Sequence, residues 1–222
     1  MPLRCPSDDR LIGTLCALDA MPQHAITGRD LNMVESCARA LSRLVYADVR
    51  AAKQSRRLQR SEAVALSDAL TGLYNRRGWD QLLKAEESRC QRHSRAACVL
   101  SIDLNDLKIV NDSAGHDRGD DLLRRAAVAM RASIRTQDIA ARVGGDEFAV
   151  LAVECDDAAM ASLKGRLAHA LEDAGISASI GAALRSRTTD LAHTWREADE
   201  AMYQAKRERK GAAPYKVAAG VA

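Results

Sequence analysis

A polar cluster begins where a hydrophobic segment ends, at Asp103. The stretch SIDLNDLKIVNDSAGHDRGDD covers residues 101–121 and sets Asn111, His116 and Asp120 in a loop interrupted by glycines. A carboxylate at the end of a strand can face the crevice in which α/β folds bind ligands, or it can simply cap the next helix. An asparagine and an aspartate together offer the donors and acceptors that suit the edge of a guanine base.

A second cluster, RVGGDEF at residues 142–148, contains two glycines followed by two acids. Gly144 and Gly145 fit the tight turn of a β-hairpin because glycine tolerates positive φ, and they also let a ligand approach the backbone. Taken alone, this segment indicates no more than a hairpin with a polar tip.

The two clusters predict a metal site if they meet in space. If the hairpin pairs beside the strand that ends at Asp103, Asp146 converges on Asp103 and Glu147 lies next to them. Two carboxylates about 4 Å apart repel by roughly 4 kcal/mol at an effective dielectric of about 20, so one must be protonated or a cation must lie between them. Hard oxygen ligands facing a phosphate pocket favour Mg²⁺, and such a site suits displacement at phosphorus.

Basic residues lie where a triphosphate would need them. Lys108 follows within the first cluster, and Lys206 and Lys210 are four residues apart on one face of the last predicted helix. Each charge-assisted contact with phosphate would contribute about 1.5–3 kcal/mol. The alternative is that these are ordinary surface lysines.

The elements that must position these residues alternate between helix and strand from residue 68 onward. Period and turn signals predict helices over 76–93, 107–115, 120–135, 156–175 and 190–210, and strands over 96–103, 139–143, 147–154 and 176–184. One pair of strands is an antiparallel hairpin. The interleaving predicts an α/β sandwich with a mixed sheet.

The N-terminal part predicts a short strand within residues 10–19 and then a long helix capped by Thr27 or Asp30. Apolar residues recur along this helix at steps of three and four, namely Leu31, Val34, Ala38, Leu41, Val45 and Val49. Residues 50–60 contain basic residues and no acid. The helix is either a solvated surface helix or a stalk that pairs with its copy in a dimer.

Composition and charge argue against several classes of protein. The 222 residues are 47% hydrophobic and 28% charged, which is typical of a folded globular chain. A net charge of +3 and 3% aromatic residues disfavour nucleic-acid binding. No apolar run approaches the ~20 residues of a membrane span, and no secretory signal is expected. Six scattered cysteines without a Cys-x-x-Cys pair indicate reduced thiols and a cytoplasmic location.

Five ordered blocks resemble the GGDEF domain of the diguanylate cyclases. They are DALTGLYNRRGW (68–79), DLNDLKIVNDSAGHDRGDD (103–121), RVGGDEF (142–148), SASIGAA (177–183) and ADEAMYQAKRERKG (198–211). The resemblance covers about residues 62–212 and implies a ferredoxin-like, adenylate-cyclase-core-like mixed sheet flanked by helices. It also implies a Mg²⁺-dependent nucleotidyl transfer in which two GTP, brought together by a homodimer, become cyclic di-GMP and two pyrophosphates.

Carried over position by position, the resemblance assigns roles to both clusters. Asp103, the carbonyl of Leu104 and Asp146 would hold Mg²⁺. Asp146 would also be the general base for the ribose 3′-hydroxyl, with Glu147 beside it. The residues implied to bind substrate are Asn111 and Asp120 for guanine, His116 for the nucleotide, Gly144 and Gly145 at the turn, and Lys108, Lys206 and Lys210 for phosphate.

The segment RTQD at residues 135–138 resembles a regulatory motif of the same family. Family members carry an Arg-x-x-Asp product-inhibition site just before the hairpin, which implies that Arg135 and Asp138 bind cyclic di-GMP. Arginine suits bidentate contacts to phosphate or guanine, and the aspartate can orient it. Without the family spacing, an exposed ion pair at a helix end is the simpler interpretation.

Three positions depart from the family pattern. Asn105 stands where a second aspartate is usual, and Leu107 stands where phenylalanine is usual. RKG at residues 209–211 replaces the common Gly-Arg-Asn, so Lys210 brings a point charge where a guanidinium fork is expected. None of these departures removes a metal-binding or general-base residue.

The N-terminal part resembles the closing strand and final helix of a GAF sensor domain, and it is too short to enclose a ligand pocket. The expected organisation is a partial GAF-like segment at 1–50, a helical linker at 51–67, the GGDEF catalytic domain at 68–212 and a tail at 213–222. Two functions stay open. The chain is a diguanylate cyclase with product feedback inhibition, or a cyclic di-GMP receptor whose catalysis has lapsed.

Overall fold

A computed structural model describes residues 1–16, 26–93, 95–186 and 188–211. The chain forms two compact units, Met1–Glu62 and Ala63–Ala222. The predicted tail at 213–222 and the end of the strand predicted within 10–19 lie outside the described residues. Among the described helices, none combines the length and apolar character needed to cross a bilayer.

The first unit consists of a small hairpin and most of a long helix. Strand β1 (Pro2–Arg4) pairs antiparallel with β2 (Leu11–Thr14), and helix α1 runs over Gly28–Ala65. The Asp30 carboxylate accepts hydrogen bonds from the Thr27 amide and hydroxyl at 3.0 and 2.6 Å, and the Asp30 amide donates to the Thr27 hydroxyl at 3.3 Å. This reciprocal cap confirms the predicted start of the helix.

The predicted apolar stripe of α1 is largely exposed within this unit. Ala38 is buried, and Ser42 accepts a hydrogen bond from the backbone amide of Arg4 at 3.2 Å, so the hairpin covers this turn of the helix. Leu41, Val45 and Val49 are exposed. The hairpin therefore satisfies only part of the stripe.

The second unit contains the remaining elements in the predicted order. They are α2 (Arg76–His93), β3 (Ala97–Leu104), α3 (Leu107–Ala114), α4 (His116–Ser133), β4 (Ile139–Arg142), β5 (Glu147–Val153), α5 (Asp157–Asp173), β6 (Ala178–Leu184) and α6 (Leu191–Gly211). The main difference from the sequence-based prediction concerns α4, which begins at His116 rather than at residue 120. The expected loop is thus reduced to Gly115, whose φ of 87° breaks the helical backbone between α3 and α4.

The four strands of this unit form one sheet in the order β4-β5-β3-β6. All three ladders are antiparallel, and a parallel bridge joins Tyr74 to Ala141 at the edge. This arrangement with helices on both faces confirms the predicted fold class. The central strand β3 is buried along its whole length, so both of its faces are covered.

The two faces of the sheet have different chemistry. On one face, alternate β3 residues from Cys98 to Leu104 pack with α4 and α5 in the larger hydrophobic cluster. On the other face, Ala97 and Val99 pack beneath α2 and α6, and the same row continues with Ser101 and Asp103. Since side chains alternate along a strand, the polar end of this row belongs to the face that α6 covers.

Helix α6 lies very close to the sheet because β6 carries a glycine at the crossing. A Cβ atom on Gly181 would collide with the carbonyl oxygen of Ala198 and the amide nitrogen of Met202. Both are backbone atoms, so a side chain here cannot be accommodated by a simple rotamer change. Gly181 therefore sets the distance between α6 and the central strand.

The start of α6 is anchored by a partly buried ion pair. Arg185 donates to both oxygens of Glu87 at 2.7 and 2.8 Å, and the backbone amide of Leu191 donates to the same carboxylate at 2.9 Å. The hydrogen bonds from Arg185 lower the pKa of Glu87 to about 2, against the opposing effect of burial. The carboxylate thus stays charged and joins α2, the end of β6 and the first turn of α6.

We expect Gly181→Ala to destabilise the fold by about 1–3 kcal/mol, because the added methyl group overpacks a backbone contact. Urea unfolding measures the change. Gly165→Ala on α5 is the matched control, since a Cβ there meets no atom within 4 Å. The control should be neutral or stabilising by about 0.4–1 kcal/mol. A Gly181→Ala protein as stable as the parent would contradict this account of the crossing.

Candidate active site

Asp103 is the buried acid around which the candidate site is built. It is 5% exposed and lies between Glu147 on β5 and Ser179 on β6, its direct Cα partners in the two ladders. Its Oδ2 atom accepts a hydrogen bond from Nζ of Lys206 at 2.7 Å. Its Oδ1 atom is buried and has no hydrogen-bond partner in the described part of the chain.

The glycine hairpin is tied to the end of β3 by backbone hydrogen bonds. The amide of Leu104 donates to the carbonyl of Asp146 at 2.9 Å, and the amides of Val143 and Gly144 donate to the carbonyl of Glu147 at 2.9 and 3.2 Å. The two predicted clusters therefore meet. Asp103, Leu104 and Asp146 are adjacent through main-chain pairing between β3 and the turn before β5.

The glycines of the turn have separate roles. A Cβ atom on Gly144 would collide with the Glu147 carboxylate, whereas a Cβ on Gly145 meets no atom within 4 Å. The guanidinium of Arg142 donates to the carbonyl of Gly145 at 2.8 and 3.1 Å and pairs with Asp68 at 3.4 Å. Gly144 thus makes room for the Glu147 side chain, and Arg142 holds the tip of the turn.

The donor set of this site fits a hard metal ion. The buried, unpartnered Oδ1 of Asp103 lies in a site where carboxylate and carbonyl oxygens are the available ligands, and such ligands suit Mg²⁺ or Ca²⁺. Across the described ranges, no group of three or more His, Cys, Asp or Glu side chains could hold a metal. A metal held by Asp103 and Asp146 would therefore need ligands from the backbone, from water or from a bound substrate.

An open cleft of about 620 Å³ lies beside these acids. Its lining includes Asp103, Glu147, Tyr203, Lys206 and Arg207. The volume falls in the range of small-molecule sites. Lys206 lies at the junction of the cleft and the buried acid, and in this structure it contacts Asp103.

The predicted guanine-reading residues lie on the two helices that follow β3. The carboxamide of Asn111 packs directly on Gly119, where a Cβ atom would collide with its oxygen, and this buried Oδ1 has no partner among the described residues. Asp120 is half-buried and lies 3.9 Å from Arg124. The short α3–α4 junction thus places Asn111 next to the start of the Gly119–Asp120 segment.

The other predicted substrate residues are less closely gathered. Lys108 and His116 are exposed on α3 and α4. Lys210 lies in the last turn of α6, and its side chain is outside the described part of the structure. Of the two lysines that are predicted to share one face of the helix, the structure therefore describes the side chain of Lys206 alone.

The sequence analysis missed the role of Arg209 in shaping the site. Its guanidinium donates to Ser177 at 2.9 Å and to Asp106 at 3.0 Å. Asp106 has a left-handed backbone with φ of 65°, and Arg209 fixes this turn between β3 and α3. The i,i+3 spacing from Lys206 was a usable signal, since it places both residues on one side of α6.

The family departure Asn105 is buried here and contacts the hydroxyls of Ser177 and Ser179 at 3.1 Å.

The candidate regulatory residues Arg135 and Asp138 form a turn after α4. Asp138 accepts hydrogen bonds from the backbone amides of Arg135 and Val153 at 2.9 and 3.3 Å. The expectation that Asp138 orients the Arg135 guanidinium is corrected here, because the carboxylate binds the Arg135 main chain instead. The exposed Arg135 borders a cleft of about 490 Å³, and Arg166 donates to the nearby carbonyl of Ser133 at 3.2 Å.

Comparison with known proteins agrees with the predicted family. The family model described as "Diguanylate cyclase, GGDEF domain" matches residues 65–212. The chain belongs to the GGDEF family. The matched region includes every residue of the candidate site and begins close to the boundary between the two compact units.

Individual relatives carry the same domain. The diguanylate cyclase DgcS of Shewanella oneidensis is 38% identical over 148 residues, which are 64% of this chain and 50% of DgcS. The GGDEF domain of PA1120 from Pseudomonas aeruginosa is 34% identical with a TM-score of 0.59, covering 64% of this chain and 89% of that one. The diguanylate cyclase SiaD from the same organism, solved with its activator SiaC, is 29% identical with a TM-score of 0.63, covering 81% and 74%. The chain thus spans about half the length of DgcS.

Removing the cation that contacts the buried acid of the GGDEF domain should destabilise the fold. Lys206→Met leaves Asp103 charged and buried, which we expect to cost on the order of 3 kcal/mol. The double variant Asp103→Asn/Lys206→Met should recover most of this loss, because no buried charge remains.

Urea unfolding at neutral pH measures these differences. Lys164→Met, on an exposed position of α5, is the control and should change stability by no more than about 0.5 kcal/mol. The pairing would be refuted by a Lys206→Met protein of unchanged stability or by a double variant less stable than the single one.

Proposed function

We propose that this chain is a diguanylate cyclase, which condenses two GTP into cyclic di-GMP and releases two pyrophosphates. The observation that carries the proposal is the meeting of Asp103, whose Oδ1 has no partner among the described residues, and the hairpin that holds Asp146 and Glu147. A buried carboxylate with a free oxygen is costly unless a ligand uses it. Such a group at the edge of an open cleft is what metal-assisted transfer of a nucleotidyl group requires.

The chain's residues hold the metal and position the nucleophile. Asp103, Asp146 and the carbonyl of Leu104 would hold Mg²⁺, which when bound neutralises phosphate charge and lowers the pKa of the attacking hydroxyl. Asp146 would accept the proton of the ribose 3′-hydroxyl, with Glu147 beside it as the second acid of the turn. Attack on the α-phosphorus then depends mainly on position and charge.

The remaining site residues would bind the other parts of GTP. Asn111 and Asp120 would read the guanine edge, consistent with the free oxygen of Asn111, and His116 would support the nucleotide. Gly144 and Gly145 would let phosphate approach the turn, and phosphate would be contacted by Lys108, Lys206 and Lys210. Lys206 would leave Asp103 for phosphate once the metal supplies the positive charge that the carboxylate needs.

The central test is turnover of GTP in the presence of Mg²⁺, followed by detection of cyclic di-GMP. Asp146→Asn should reduce the rate at least about 100-fold, because it removes the proton acceptor and one metal ligand. Asp173→Asn on α5, an exposed acid far along the chain from both clusters, should leave the rate unchanged. A folded parent protein that makes no cyclic di-GMP at any concentration would overturn the proposal.

Product feedback at Arg135 and Asp138 is part of the proposal. The exposed Arg135 guanidinium beside a cleft of about 490 Å³, with Asp138 fixing the turn, supports an anion-binding role. We expect calorimetry to show cyclic di-GMP binding that Arg135→Ala weakens at least about tenfold, corresponding to the loss of one charge-assisted contact. GTP turnover without added product should persist in this variant.

The same measurement separates the two candidate functions. Binding of cyclic di-GMP without synthesis would favour a receptor whose catalysis has lapsed. Equal binding by the parent and the Arg135→Ala protein would contradict the assignment of the inhibitory site.

Because each copy would hold one GTP, catalysis requires two copies face to face, and we propose that α1 brings them together. Its exposed residues Leu41 and Val45 support a stalk that pairs with its copy. The hairpin and helix of the first unit are also consistent with a remnant of a GAF domain. We also propose that the segments of the chain are divided after residues 50, 67 and 212. The same proposal includes a cytoplasmic location, in which the six free thiols would stay reduced.

We expect the double variant Leu41→Glu/Val45→Glu to lower activity most at low protein concentration, because charge repels the paired helices. Specific activity over a dilution series and sedimentation velocity measure this effect. Leu44→Glu, an exposed apolar residue outside the stripe, is the matched control. Activity of the double variant that equals the parent's at every dilution would rule out the stalk.

A further inference from the structure

We propose that Cys98 and Cys155 form a redox-active dithiol site, which a low-molecular-weight disulfide converts into an intramolecular disulfide. Their Sγ atoms lie 3.1 Å apart, and both cysteines are free, with exposures of 0% and 3%. A disulfide bond is about 2.05 Å long, so closure requires the sulfurs to approach by only about 1 Å. The site is separate from the cleft, because Cys98 belongs to the opposite face of β3 from Asp103.

The backbone already holds both cysteines in the right place. Ala97 on β3 pairs with Val153 at the end of β5, and the amide of Cys155 donates to the carbonyl of Ala96 at 3.2 Å. The bond would join residues 57 positions apart, through a contact that the sheet makes whether or not the bond forms. A thiol on β3 that faces a second thiol just after β5 differs in this respect from an isolated buried cysteine.

Entry to the site is through Cys155. Glu154 has a left-handed backbone with φ of 50°, and the turn it forms connects β5 to α5. Local opening of this turn exposes Cys155 without unfolding β3, since turns open more readily than central strands. Cys98, which lies on the central strand β3, becomes the resolving thiol.

The charge environment agrees with this order of reaction. Burial raises the pKa of Cys98 far above its usual range. Burial also raises the pKa of Cys155. The hydrogen bond donated by Cys98 lowers it, the negative charges of Asp138 and Asp156 raise it, and the positive charge of Arg135 lowers it. Thiolate is the attacking species in exchange, so the reaction is slow in the closed protein and begins at Cys155.

The exchange balances as follows. The Cys155 thiolate attacks one sulfur of the small disulfide, forming a mixed disulfide and releasing one small thiolate, which takes up a proton. The Cys98 thiolate then attacks the Cys155 sulfur and releases the second small thiolate, which is protonated likewise. The two protein thiols lose two protons and two electrons in total, and the small disulfide takes these up and is reduced to two thiols.

The bond would stiffen the turn that carries Arg135. Val153, two residues before Cys155, donates its amide to Asp138, and Asp138 accepts from the amide of Arg135 on its other oxygen. A cross-link at Cys155 therefore restrains the segment that anchors Asp138. The readout for this consequence is backbone hydrogen exchange, which does not require the chain to be an enzyme.

The experiment treats the full chain, carrying Cys16→Ser and Cys37→Ser to remove its two exposed thiols, with bis(2-hydroxyethyl) disulfide. Remaining thiols are alkylated under denaturing conditions, and peptides are mapped by mass spectrometry. We expect a Cys98–Cys155 cross-linked peptide that dithiothreitol reverses, a higher melting temperature, and slower amide exchange at residues 135–138. Cys98→Ser should stop at a mixed disulfide on Cys155.

Cys90→Ser is the matched control, since Cys90 is also buried and free, and it should form the same cross-link. Recovery of Cys98 and Cys155 as free thiols after prolonged treatment would overturn the proposal, as would their capture only in pairs with other cysteines. A cross-link that lowers the melting temperature would show that the bond does not fit the native sheet, and would also overturn it. Cys98 and Cys155 are both unchanged in the treated chain, so its mapping does not depend on whether the Cys98→Ser and Cys90→Ser variants fold.

Discussion

The burial of the Asp103 carboxylate is the constraint on which the arrangement of the site depends. A charged oxygen removed from water needs a cation or a ring of donors, and here Lys206 supplies the cation from more than one hundred residues away in sequence. Lys206 reaches Asp103 only because α6 lies close to the sheet over Gly181. The position of α6 in turn is fixed at its first turn by the Glu87 carboxylate.

The two faces of the sheet have different roles, because one packs against helices and the other carries the buried acid of the site. One face of β3 is entirely apolar and packs against α4 and α5, and this packing fixes the position of the strand. The other face changes from Ala97 to Asp103 along its length and so delivers a charged end to the cleft. The hydrogen bond between Leu104 and Asp146 then brings in the hairpin, so the acids that the proposed reaction uses come from the end of β3 and from the turn and first residue of β5.

Membership of the GGDEF family gives the second unit a common framework, and particular residues give it individual features. Asn105 joins the hydroxyls of Ser177 and Ser179 in a buried polar contact, so this position stabilises the start of β6. The Cys98–Cys155 contact lies on the support face and is linked to the Arg135 turn through Asp138. The Cys98–Cys155 contact lies outside the motifs that carry the family resemblance, whereas Asn105 is a departure within one of them.

The sequence by itself determined the order and type of the elements, the hairpin turn and the identity of the polar clusters, because periodicity, glycine positions and short motifs are local properties. It did not show that α4 begins at His116, since Gly115 alone provides a sharp junction that resembles a longer loop. Only the tertiary structure decided that Lys206 contacts Asp103, that Asp138 binds main-chain amides and that Cys98 faces Cys155. Apart from the local bond between Asp138 and Arg135, these contacts join residues separated in sequence. Their geometry depends on how strands and helices pack, which local patterns do not encode.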